Sequence, residues 1–300
     1  MAYGDVLTIT TTSRVVDDYH RVALSWIEDT FASILASPFH SLVSSNPLNP
    51  RALHDETEPL GEPGAMWAGL TLTPKFGSKK RIQIFTDHAW HKYLEGLSKT
   101  PYLAEVEVRK LDRHGFSSRA MARLEIESTY DAPEWFRFSL KITNSLVSWQ
   151  NSLQFQKECV AFLGRQATTQ RASFGSISND GVGDWTALES SLDLDVEETV
   201  PCSERQLRGY SWVTVCSPNI AQKLGGIQAL SATGAFSEVI ELEYGGLLLR
   251  ATDSIGEYDE PSIWQVFHAL GPALPAGKAK PVRGFEHFNL VYDVDPKDFR

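Results

Sequence analysis

At 300 residues, 42% of them hydrophobic and 11% aromatic with 8 Trp, the chain can fill one large core or two ordinary ones. Its formal net charge of -10 and pI of about 5.3 oppose general nucleic-acid affinity, which needs clustered Lys and Arg, and suit a basic partner. No run of about 20 apolar residues occurs and the first residues carry no basic-then-apolar leader, so no membrane span is expected and the cytoplasm is the expected home.

Val6 to Thr12 predicts a short strand. Val15 to Ala36 sets Val15, Tyr19, Val22, Trp26 and Phe31 along one helical face, and Pro38 is expected to close that helix. Residues 41–64 carry Pro47, Pro50, Pro59 and Pro63 and read as a long irregular loop. Met66 to Thr73 and Arg81 to Thr86 are strands on either side of a turn. Asp87 is placed to cap a helix over His88 to Ser98, because its carboxylate can accept free backbone N–H groups. Leu103 to Lys110, Ala120 to Glu127 and Trp135 to Thr143 alternate apolar and charged residues, as half-buried antiparallel strands do. That alternation puts Val106, Val108, Leu124, Ile126, Phe136 and Phe138 on the buried side. A helical spacing returns from Ser148 to Phe162 and is expected to end at Gly164.

Ser173 to Ser178 is a further strand, followed by a polar turn and the segment from Asp184 to Ser203. Tyr210 to Cys216 is a strand, and Pro218 stands in the first turn of a helix, where its missing N–H is harmless. That helix ends near Gly225-Gly226, and a short helix over Ile227 to Ser231 follows. Phe236 to Leu242 and Leu247 to Thr252 flank Gly245-Gly246, the residues a hairpin turn needs. Glu260 to Leu270 predicts a helix and Phe288 to Tyr292 a last strand. Segments 81–127 and 210–252 thus share the order strand, helix, strand, turn, strand, so a pseudo-repeat is one expectation.

The expected fold is α+β. Residues 1–65 supply an N-terminal strand, helix and Pro-rich loop that pack on a first α+β unit, 66–164. A second unit spans 165–300. Each unit is expected to place helices on one face of a mainly antiparallel sheet, and no flexible linker divides them.

Little in the chain reads as catalytic. Cys159, Cys202 and Cys216 are scattered and form no CxxC pair, which argues for a reducing compartment and against a disulfide framework or zinc knuckle. Cys216 before a helix start has the placement of an activated thiol, but a buried small apolar residue is the better expectation. His88 and His91 can share a helical face, yet no third zinc ligand accompanies them, so no metal is expected. His54-Asp55-Glu56 reads as a solvated turn. The glycines form no phosphate-binding loop and no cofactor is implied.

The clearest charge feature is acidic. From Ala172 through Glu204 there is no Lys or Arg, while Asp184, Glu189, Asp193, Asp195, Glu197 and Glu198 fall in this stretch. One sign of charge in a cluster speeds encounter with a partner of the other sign. These six residues are the candidate partner-binding set. Trp185 and Leu188 are expected to pack beneath them.

Gly209-Tyr210-Ser211-Trp212-Val213-Thr214-Val215, then Leu224-Gly225-Gly226 and Gly245-Gly246-Leu247-Leu248-Leu249-Arg250-Ala251-Thr252, resemble the C-terminal part of uncharacterised actinobacterial proteins. The same motifs are weakly similar to the bacterial type VI immunity family. This resemblance covers the C-terminal half, and its residues are core and turn positions. It implies a bacterial binding protein that neutralises a toxin. The leading functional expectation is therefore a non-enzymatic immunity-type protein that recognises a basic protein partner through an acidic surface. Two alternatives stand beside it: an enzyme with a site between the two sheets, or a structural or regulatory accessory protein.

Overall fold

The computed structural model describes residues 5–43, 48–53, 57–180, 183, 185–284, 288–290 and 295–299. Strand β1 (Val6–Arg14) leads to helix α1 (Tyr19–Asp29), which buries Tyr19, Val22, Trp26 and Ile27. The chain then widens through a π-helical turn, Thr30–Ile34, and continues as α2 (Ala36–Val43). Pro38 does not end the helix. It sits in the first turn of α2, where a backbone N–H is unpaired in any case.

Strands β2 (Met66–Thr73) and β3 (Ile82–Ile84) precede α3 (Asp87–Gly96). The cap of α3 is Thr86, whose hydroxyl accepts from the Ala89 N–H at 3.1 Å; Asp87 lies one residue inside, where its charge suits the helix N-terminus. A meander follows: β4 (Leu103–Leu111), β5 (Ser117–Ser128) and β6 (Trp135–Thr143). The alternation holds there, since Val106, Val108, Leu124, Ile126, Phe136 and Phe138 are each exposed by 1% or less. Helix α4 (Leu153–Gln170) runs past Gly164 and stops where Arg171 turns left-handed at φ 50°. Its Phe162 and the Phe138 ring of β6 both pack against Trp26 of α1.

The C-terminal half adds β7 (Phe174–Ser178), α5 (Ala187–Leu192), α6 (Val196–Cys202), β8 (Val213–Cys216), α7 (Pro218–Lys223), α8 (Gly226–Ala232), β9 (Glu238–Glu241), β10 (Leu247–Arg250) and α9 (Glu260–Leu270). The β9–β10 turn needs its glycines: Gly245 has φ 87°, and a Cβ on Gly246 would meet the Cys216 carbonyl at 2.7 Å. Phe288 to Leu290 is not a strand, and residues 291–292 lie outside the described residues.

These strands form one ten-stranded sheet in the order β3-β2-β4-β5-β6-β1-β7-β8-β10-β9, antiparallel at every pairing. The fold is α+β, with a single sheet running through both halves. Strand β1 does not belong to the first half alone. It pairs with β6 on one side and β7 on the other, so it is the seam along which residues 66–164 and 165–300 meet. Helices α1 and α4 cover one face of this central region. There Thr11 and Ser13 of β1, both fully buried, donate to Gln170 Oε1 of α4 at 2.5 and 3.2 Å, which satisfies hydroxyls on an otherwise apolar face.

Candidate partner-binding surface

The opposite face of the N-terminal half is polar. Register aligns Gly69, Glu107, Arg123, Lys141, Thr8 and Ser178 in one row, and Thr71, Glu105, Glu125, Ser139, Thr10 and Ser176 in the next. Opposite charges pair on this face, within β4 and between neighbouring strands. Arg109 bonds Glu107 at 2.7 Å, Arg123 bonds Glu107 as well, and Lys141 bonds Glu125 at 3.0 Å. A hollow of about 180 Å³ beside Arg123 and Lys141 therefore has its cations already committed. Glu105 and Glu107 titrate in opposite directions. Burial and the charges of Glu107 and Glu125 raise Glu105 against the pull of Lys80. Burial also pushes Glu107 up, but the Arg109 hydrogen bond and the Arg123 and Arg109 charges outweigh it and hold Glu107 low.

The members of the acidic segment part company. Thr186 and Glu189 form a capping box at the start of α5: Thr186 Oγ1 accepts from the Glu189 N–H at 3.1 Å, and Glu189 Oε2 accepts from the Thr186 N–H at 2.7 Å. Glu189 is fully buried. Arg208 grips it with Nε on Oε1 at 2.7 Å and Nη2 on Oε2 at 3.1 Å, and Thr199 donates to it as well. The same guanidinium reaches Thr12 of β1 at 2.9 Å and lies 5.5 Å from the Phe174 ring centre. Glu189 is thus an interior tie between α5 and the seam strand, and no part of an exposed charge cluster. Asp184 lies outside the described residues. Asp193, which ends α5 at φ 56°, is exposed, as are Asp195 and Glu198, and Glu197 is half-buried.

Helix α6 holds the last three of these in place. Val196 and Val200, one turn apart, share a face and bury themselves against Trp135 of β6 and Ala132. Asp195 caps the helix by accepting from the Glu197 N–H at 2.9 Å. Glu197 then reaches the β5–β6 turn, where its Oε2 accepts the Tyr130 N–H at 2.7 Å. That turn is braced by Thr129, which donates its hydroxyl to the Ala132 carbonyl at 2.5 Å.

An exposed aromatic cluster is built on this turn. The Tyr130 ring centre is 4.8 Å from that of Phe76, which comes from the β2–β3 loop; Phe76 is 5.4 Å from Tyr102, just before β4. Phe76 and Tyr130 are 60% and 61% exposed. Tyr102 is tied down: its hydroxyl donates to Glu127 Oε1 at 2.8 Å, and Glu127 Oε2 accepts from Arg137 at 2.5 Å. Burial, that hydrogen bond and the Glu127 and Glu197 charges all push the Tyr102 hydroxyl up. Aromatic rings in mutual contact and open to water, with acids along one side, make a patch suited to protein recognition.

The remaining sequence candidates lie elsewhere. His88 and His91 are exposed on α3, and His91 Nδ1 is 2.6 Å from the Asp87 carbonyl within its own helix. No cluster of His, Cys, Asp or Glu able to hold a metal occurs among the described residues. His54, Asp55 and Glu56 lie outside them. Cys216 is buried, and its thiol is pushed up to about 12 by that burial, the opposite of an activated nucleophile. Among the described residues no groove lies between two sheets, because the strands form one continuous sheet. Among the described residues, no helix is long and apolar enough to cross a membrane. Phe76 and Tyr130 escaped the sequence reading. Their signal was aromatic residues set in polar turns, TPKFGSKK and STYDAPE, outside any apolar period.

No family model matches the sequence, and no curated protein matches it. Among solved structures, the Pseudomonas aeruginosa T6SS protein PA0821 aligns with a TM-score of 0.55 at 14% identity, over 92% of this chain and 76% of that chain. Likeness at that identity is one of fold. It extends across both halves, beyond the C-terminal motifs that carried the resemblance in sequence.

Proposed function

We propose that this chain is a non-enzymatic, protein-binding protein of the immunity type. It holds a basic protein partner on the surface that joins Asp193, Asp195, Glu197 and Glu198 to Phe76 and Tyr130. The observation that carries this reading is the hydrogen bond from the Tyr130 N–H to Glu197, which fixes an acidic rim to an exposed aromatic centre. Interfaces draw their binding energy from a few anchors, often aromatic, while rim charges act on encounter. The partner is a toxin in this reading, and the fold likeness to a T6SS protein supports that class. No nucleic acid, membrane or cofactor enters it.

The test is capture followed by protection. Tagged chain is used to isolate a partner from the source organism, and that partner is then expressed in a naive host. Growth arrest by the partner alone, relieved by the wild-type chain and not by a variant carrying Asp193→Asn, Asp195→Asn, Glu197→Gln and Glu198→Gln, is the expected result. A harmless partner would end the immunity reading, and full relief by the variant would end the acidic-surface reading.

A further inference from the structure

We infer that the central contact on this surface is an arginine of the partner, its guanidinium stacked on Phe76 and Tyr130 and bonded at its edge to Glu197. The inference rests on the binding reading above and names the chemistry of what is bound.

The molecule uses this arrangement twice itself, once on its polar sheet face and once in its interior. Arg109 lies over the Trp67 ring at 5.8 Å and bonds Glu107 at 2.7 Å. Arg208 lies over the Phe174 ring at 5.5 Å and bonds Glu189 at 2.7 Å. In both, a flat cation covers a ring while a carboxylate takes its N–H groups. Phe76 and Tyr130 expose rings to solvent, and the half-buried Glu197 supplies the carboxylate beside them through its bond to the Tyr130 N–H. Glu197 gives Oε2 to Tyr130, and its Oε1 makes no hydrogen bond among the described residues.

Arginine fits better than lysine for physical reasons. Its planar, weakly hydrated guanidinium stacks on a ring and still donates in its own plane, whereas an ammonium is compact and strongly hydrated. The two rings touch, with centres 4.8 Å and planes 51° apart, so a guanidinium lies flat on one ring and meets the other at its edge. The direction of approach is also set. Lys75, Lys79 and Lys80 stand on the Phe76 loop, with Lys80 3.8 Å from Glu105, while Asp195, Glu197 and Glu198 lie on the α6 side. A cation therefore enters from α6.

The experiment uses nona-arginine and nona-lysine as probes of equal charge, with affinity read by fluorescence anisotropy at low salt. The full chain is compared with a Phe76→Leu/Tyr130→Leu variant, which keeps apolar bulk and removes the ring quadrupole, and with the four-acid neutralised variant. Both rings are exposed, so the leucine variant should unfold at the wild-type temperature. The expected result is that wild type prefers nona-arginine by about three-fold or more, and that the leucine variant loses this preference, weakening on nona-arginine more than on nona-lysine. The neutralised variant should weaken on both probes. Equal affinity of wild type for the two probes, or a preference that survives in the leucine variant, overturns the arginine assignment. If neutralising the acids changes neither affinity, the acidic surface itself fails, and the arginine assignment with it.

Discussion

Glu189 and Glu197 belong to the same acidic run, eight residues apart, yet one is a structural tie and the other a surface group. Glu189 is buried and held by Arg208, Thr186 and Thr199; Glu197 reaches out to a turn and borders exposed rings. Charge along the chain does not separate them. What does is the local pattern: Glu189 is the third residue after a Thr that begins an apolar helix turn, and it faces an arginine beyond the run. Glu197 and Glu198 instead follow the inward Val196 and precede the inward Val200, so the helix turns them outward. The lesson is that an acidic stretch must be sorted by helix phase before it is read as a surface.

The largest effects should come from the buried side. Arg208→Ala leaves Glu189 charged and unpaired in the interior and should cost about 3–5 kcal/mol by urea unfolding. Trp135→Ala should cost a similar 3–5 kcal/mol, because it empties the seat of α6, and it should also weaken partner binding through loss of the Glu197 position. If Arg208→Ala changed stability by less than about 1 kcal/mol, the contrast with the exposed acids would collapse.

Next comes a pair that the sequence treated alike. Leu188 is buried, and Leu188→Ala should cost about 2–5 kcal/mol. Trp185 is 48% exposed, so Trp185→Ala should cost far less, despite the expectation that both would pack. Equal losses in thermal unfolding would restore that expectation.

Much of the fold was legible because burial leaves a period. The β4–β6 meander alternates apolar with charged or polar residues through Ala104–Val108, Ala122–Ile126 and Phe136–Ile142, broken only where the β4–β5 register shifts around Arg109, and the described boundaries of β2 and β6 coincide with the apolar-polar pattern. Less was legible where tertiary contact overrides local signals. Gly164 looked like a helix end, but α4 continues through it, with Leu248 of β10 packed alongside. Pro38 looked like a stop and is a start. The joining of the halves on β1 depends on pairings more than a hundred residues apart, which no local pattern carries. The surface was half legible: the acids were visible, but Phe76, Tyr102 and Tyr130 come together from separate turns.

A smaller effect concerns pH on the open face. The Glu105 carboxyl is raised on folding, so the folded chain takes its proton more readily than the unfolded chain. Its contribution is fully present below the ordinary glutamate range and is lost as pH rises through the raised value. Glu105→Gln removes that loss, and should raise the unfolding temperature slightly at about pH 7 while leaving it unchanged near about pH 4. Glu107→Gln should behave in the opposite sense, destabilising at neutral pH, because the stability from its lowered carboxyl is present there and lost as pH falls. The same sign for both variants would contradict the assignment of their neighbours.

The most direct test of the binding surface is the association rate with the captured partner at two salt concentrations, for wild type and the four-acid variant. The substitutions keep the acceptors that cap α6 and hold Tyr130, so stability should change by no more than about 1 kcal/mol. Screening acts over about 8 Å at physiological ionic strength. The account predicts that wild type associates about ten-fold or more faster than the variant at low salt, and that the gap closes at high salt. Equal association rates at both salt concentrations would contradict it, and would leave Asp193, Asp195, Glu197 and Glu198 as solvated charges with no part in recognition.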